Sequence, residues 1–257
     1  MQSLKYEAIK ISMSSKSQIK DSIVIEAPLQ ININEEPYTV VMRTPGNDKE
    51  LIRGLLYAED IYKGEESLNT LLIETTDTHF SIFNVIIPNS ELGKGYMNKR
   101  SLLSVSSCGI CGKQSIDDIK VIGTKLELNR KIDFSKIKDM FYQMQKRQIL
   151  FSNTGASHAA AIFNSDYSLL SIMEDIGRHN AVDKAIGELI NNNQLKNSSY
   201  LLVSGRVSYE IVTKAFIAKI KTIIAVSGCS SLAIDFAKEF GIQLLGFTRG
   251  ERTTIYS

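Results

Sequence analysis

The chain has 257 residues, 43% hydrophobic and 23% charged, with a net charge of +2. That balance excludes a disordered chain, and a total so close to neutral makes no case for a nucleic-acid or membrane partner. Three cysteines exclude a disulfide scaffold, and neither an apolar leader in Met1–Ser12 nor a run of about 18 apolar residues is present, so a cytoplasmic protein is expected.

The length accommodates two lobes, and the change in pattern places them at residues 1–130 and 131–257. The first reads as β-rich α+β. Leu29–Pro45 contains two extended runs around Asn34-Glu35-Glu36-Pro37, a hairpin signal. Asn47 opens a helix with Glu50 placed as in a capping box, and Leu51, Leu55 and Ile61 form its apolar stripe. Leu71–Pro88 supplies a second strand pair, with His79 on an exposed strand face.

From Phe134 the pattern becomes α/β. Asp133–Phe151 has helical period, His158–Asn164 and Tyr167–Asp175 read as strands, and Asn180–Gln194 reads as a helix. A near-repeat follows: Ser204-Gly205 and Ser227-Gly228 each separate an apolar strand from a helix, and Ile242–Phe247 adds a third strand. Strands alternating with crossover helices imply a parallel sheet with right-handed connections, so this lobe is α/β.

Two constellations carry chemistry. Cys108 and Cys111 stand three apart in Ser106–Lys113, SSCGICGK, and the stretch Lys94–Arg147 around them holds twelve Lys and Arg against five Asp and Glu, a basic region suited to an anionic partner. A structural zinc site needs four ligands and finds no second pair at zinc-finger spacing, so no metal is expected. A thioredoxin-like switch lacks the proline that follows its cysteines. A zinc deaminase needs glutamate where Ala160 follows His158, and proline where Ser107 stands. A persulfide carrier needs a mobile thiol of lowered pKa; Gly109, Gly112 and Lys113 permit one.

The second constellation is anion binding. Asp175–Lys184, Val203–Glu210 and Val226–Ala233 each place Gly beside Ser, Arg or Asn before a helix, where free backbone N–H groups and the helix dipole attract phosphate. Ser204, Gly205, Arg206 and Ser227 are the candidates, and Arg178, Arg249 and Arg252 add guanidinium contacts. A plain helix cap accounts for any one turn taken alone. His158 and His179 suit catalysis and core hydrogen bonding equally, and Cys229 reads as a small hydrophobe.

Glu26–Leu56, Ser106–Lys113, Phe151–Phe163, Glu174–Gly187, Val203–Ala215 and Gly246–Ser257, in this order, resemble the FdhD/NarQ family, the formate dehydrogenase accessory sulfurtransferases. The resemblance implies a three-layer α/β/α C-terminal core similar to the cytidine deaminase fold without its zinc site. It also implies a sulfur relay: a cysteine desulfurase charges Cys108 as a persulfide, with Cys111 assisting, and the sulfur passes to molybdenum in bis-molybdopterin guanine dinucleotide, which activates formate dehydrogenase. It assigns cofactor binding to Phe247, Thr248, Arg249, Gly250, Glu251 and Arg252, where an aromatic face and two arginines suit a guanine nucleotide diphosphate, and it implies a homodimer. The rivals are a deaminase-like zinc hydrolase using His158 and a guanine-nucleotide module without thiol chemistry.

Overall fold

The structure, a computed structural model, describes residues 1–64, 66, 68–97, 123–127 and 132–257. Cys108, Cys111 and the expected lobe boundary at residue 130 lie outside the described residues. Among those described, no helix is long and apolar enough to cross a membrane.

The chain opens with a two-stranded hairpin, β1 (Ser3–Ile11) and β2 (Lys16–Val24), that joins neither of the other sheets. Its strands are largely exposed on both faces, so no alternation of the half-buried kind announced it. Next come β3 (Ala27–Ile33), β4 (Glu36–Arg43), α1 (Asp48–Ala58), β5 (Asn69–Thr75) and β6 (Ser81–Ile86). They build a four-stranded sheet in the order β4-β3-β6-β5. The β3–β4 hairpin turns on Asn34 and Glu35, both at positive φ (51° and 72°), the two-residue geometry that matches strand twist. Leu29, Ile31 and Ile33 alternate inward from β3 and meet Leu51, Ile52 and Leu56 of α1.

Helix α1 starts where expected but not as expected. Asn47 is left-handed (φ 55°) and its side chain makes no capping bond, so the capping box with Glu50 does not form. A capping side chain normally projects from extended backbone. Instead Asp48 pairs with the buried Arg43, at 2.9 and 3.0 Å. Arg43 also reaches the carbonyl of His79, which occupies a turn at φ 63° rather than a strand.

The larger sheet has the order β12-β11-β10-β9-β7-β8. Its strands are β7 (His158–Phe163), β8 (Leu169–Asp175), β9 (Tyr200–Val203), β10 (Thr222–Ala225), β11 (Gln243–Arg249) and β12 (Arg252–Ile255). The three strands of the repeat region are parallel, as expected, while β7, β8 and β12 make the sheet mixed. Helices α4 (Arg178–Asn191), α5 (Tyr209–Ile217) and α6 (Ser231–Phe240) cover one face, and α2 (Phe134–Arg147) covers the other. The mixed α/β class expected from the sequence is what the chain adopts. The helical stretch after Asp133 is two helices, because the Glu174 carboxylate accepts from the Leu150 and Phe151 amides, both at 2.8 Å, and starts α3 (Ile149–Thr154) afresh beyond Gln148.

The two sheets meet through α1 packed on α4. The crossing is backbone to backbone: a Cβ on Gly54 would land on the Asp183 carbonyl, and one on Gly187 would land on that of Glu50. Gly187→Ala therefore forces the helices apart. We expect it to cost about 1–3 kcal/mol, read as a lowered midpoint in denaturant unfolding; an unchanged midpoint would mean the helices do not cross there.

Candidate functional site

The register of the larger sheet places the candidate turns on one edge. Strands β9, β10 and β11 run parallel, so the turns from Ser204 and Ser227 and the end of β11 lie together at their carboxyl ends. Strand β7 runs antiparallel to β9 with Ala160 opposite Val203, which sets His158 level with Gly205. Asp175, last in β8, lies directly opposite His158. The edge thus reads Asp175, His158, Ser204-Gly205-Arg206, Ser227-Gly228, Phe247. In open α/β sheets this carboxyl-end edge is where ligands bind.

The foundation of the edge is a buried charge. Asp175 and Lys184 are fully buried and 2.8 Å apart. One Asp175 oxygen accepts from the Gly177 amide (2.8 Å) and Asn180 Nδ2 (3.0 Å), and the other from the Thr44 amide (3.1 Å) as well as Lys184. Lys184 also donates to the Thr44 carbonyl, and Thr44 Oγ1 accepts from the Ile176 amide. So the Asp175–Lys184 motif, expected to bind an anion, is closed by its own aspartate: the Gly177 N–H is taken, and Asn180 and Lys184 donate to the Met42 and Thr44 carbonyls. A neighbouring buried pair, Asp183 and Lys214 at 2.7 Å, joins α4 to α5.

The other two turns are partly committed. Ser204 Oγ accepts from the Ala159 amide at 2.9 Å and pins β7, while the Ser227 hydroxyl donates to the Ser204 carbonyl at 3.4 Å. The Val207 and Ser230 amides donate across to Gly228 and Val207 carbonyls. The amides of Gly205, Arg206 and Gly228 donate to no acceptor among the described residues.

His158 is half-buried at this edge. Burial, then the Arg178 and Arg206 guanidiniums, hold its imidazole below the usual histidine range against the pull of Asp175. Gly205 is glycine for its sake: a Cβ there would sit 3.1 Å from His158 Nδ1. His179, by contrast, is buried in the core, with Nε2 2.8 Å from Ser208 Oγ.

At the far end, Phe247 has φ 51° at an irregularity in the β11–β12 pairing. Its amide donates to the Ser227 carbonyl at 3.0 Å, and its ring, 54% exposed, rests on Gly228, where a Cβ would be 2.7 Å from Cζ. Buried Thr248 bonds Thr253 at 2.7 Å, Arg249 Nε reaches the Val226 carbonyl at 3.3 Å, and Gly250 (φ 61°) and Glu251 turn the hairpin so that Arg252 opens β12 opposite Arg249. The structure therefore brings Ser204, Gly205, Arg206, Ser227 and Phe247–Arg252 to one end of one sheet. Sequence reasoning passed over Asp175, Lys184 and Glu174 in their true role; a carboxylate pair at a strand end before glycine was the available signal.

Cys229 packs half-buried against the core, and burial pushes its thiol up to about 11. A thiol held that high carries about a hundredfold less thiolate at neutral pH than an ordinary cysteine. In the folded protein, alkylation at pH 7 followed by peptide mapping should label Cys229 at roughly a hundredth of the rate of a free cysteine; labelling at the free rate would show the burial to be wrong.

The site is thus a mixed α/β sheet that carries glycine turns, arginines and an exposed aromatic at its carboxyl edge. The chain belongs to the FdhD/NarQ family, whose model matches residues 24–257. It is 36% identical over 259 residues to the sulfur carrier protein FdhD of Sulfolobus acidocaldarius, covering 100% of this chain and 97% of that one. It is 37% identical over 250 residues to that of Mycobacterium tuberculosis, covering 92% and 90%. A crystal structure described as that of a formate dehydrogenase accessory protein from Desulfotalea psychrophila superposes with a TM-score of 0.75 at 22% identity, over 100% of this chain and 97% of that one, and shares the fold.

Proposed function

We propose that the protein is a sulfur carrier for a formate dehydrogenase. The observation that carries this is full-length similarity to relatives named sulfur carrier protein FdhD. The carboxyl-edge site supports the finer reading, in which the cargo is the molybdenum of bis-molybdopterin guanine dinucleotide: the amides of the Gly205 turn and Arg206 suit a diphosphate, and the exposed Phe247 ring suits a guanine face. On this reading a cytoplasmic cysteine desulfurase supplies the sulfur. The Cys108 thiolate attacks the outer sulfur of the desulfurase persulfide, the S–S bond breaks, and the desulfurase leaves as thiolate. Cys111 thiolate then attacks the inner sulfur of the Cys108 persulfide, forming a disulfide and releasing hydrosulfide to the metal; a cellular dithiol restores both thiols. The family resemblance adds a homodimer.

Incubation with a cysteine desulfurase and cysteine should add the mass of one sulfur atom to the peptide carrying Cys108. Cys108→Ala should abolish both that adduct and the activation of formate dehydrogenase, while Cys229→Ser keeps both. An uncharged wild-type peptide, or full activation by Cys108→Ala, would leave a guanine-nucleotide module in place of a carrier.

A further inference from the structure

We propose that His158 moves the proton that must be relocated when sulfur replaces oxygen on the cargo metal, an inference that rests on the sulfur-carrier reading above. The replacement itself sets the requirement. As hydrosulfide displaces an oxo group, the metal–oxygen bond breaks, a metal–sulfur bond forms, and the S–H proton passes to the departing oxygen, which leaves as hydroxide. Atoms and charge balance and the metal keeps its oxidation state, so what the protein must provide is a group that accepts a proton at one atom and returns one from another.

Neutral imidazole does both. His158 stands on the carboxyl edge between Asp175, directly opposite it, and Gly205, level with it. The turn beside it is glycine, and a Cβ there would crowd the ring at 3.1 Å from Nδ1. The charged groups facing it are Arg178 from the first turn of α4, Arg206 from the turn after β9, and Asp175 from β8. Two guanidiniums and partial burial disfavour imidazolium, which keeps the ring in the form that accepts a proton. Among the described groups nearest to it, Asp175 is saturated by four donors, arginines do not release protons, and burial keeps the Cys229 thiol protonated.

The test uses the full chain charged by a desulfurase, with cofactor-bearing, inactive formate dehydrogenase as acceptor. Sulfur loading by mass, guanosine diphosphate binding by calorimetry and activation rate are each measured across pH. His158→Gln should load sulfur and bind nucleotide as the wild type does, yet activate roughly a hundredfold more slowly. The wild-type rate should fall as pH drops through the His158 pKa, and the variant should lack that acid limb. In His158→Gly, added imidazole should restore activation. A glutamine variant with the wild-type rate and acid limb, or a glycine variant that imidazole leaves inactive, overturns the role of His158. A wild-type chain that takes up no sulfur overturns the carrier reading instead.

Discussion

Everything at the candidate edge depends on one buried carboxylate. Taking Asp175 and Lys184 out of water costs several kcal/mol per ion, which only near-complete hydrogen bonding offsets. Asp175 meets that condition with four donors drawn from three places: the turn opening α4, Lys184 within α4, and Thr44 beyond β4. The pair thus ties the small sheet to the large one and fixes where β8 ends. Because β8 pairs with β7 and β7 with β9, that endpoint sets His158 against Gly205 and Ser204 against Ala159.

Its neighbour Glu174 works on the other face of the sheet, as strand alternation requires. There it starts α3 and accepts from Ser157 Oγ at 2.7 Å, immediately before His158. Two consecutive acids therefore hold the approach to the edge from both sides. Glycines finish the job by absence of bulk: Gly205 admits the imidazole and Gly228 admits the Phe247 ring. The result is a rim of glycine turns beside an exposed aromatic ring, and the proposed function uses it as the frame that holds a large anion while a separate thiol acts on it.

What was legible in the sequence was local. The Asn34-Glu35 turn, helix α1 and the strand–turn–helix repeat follow from turn chemistry and period, and the resemblance placed the whole chain in its family. What was not legible depended on distant partners. Nothing near Asp175 announces Thr44, 131 positions away in sequence, as its hydrogen-bond donor. The break at Gln148 needed Glu174, the uncapped Asn47 needed the Arg43–Asp48 pair, and Gly54 looked like a weak helix residue until Asp183 lay against it. The β1–β2 hairpin escaped because it buries neither face, and the anion-binding reading of the Asp175–Lys184 turn failed because the protein supplies its own anion there.

The most direct test of this account is the unfolding free energy of Lys184→Met, measured in denaturant against the wild type. Leaving Asp175 buried without its cation should remove about 3–5 kcal/mol. A variant within about 0.5 kcal/mol of the wild type, the range of an ordinary surface change, would show that the pair does not hold the two sheets and the edge together.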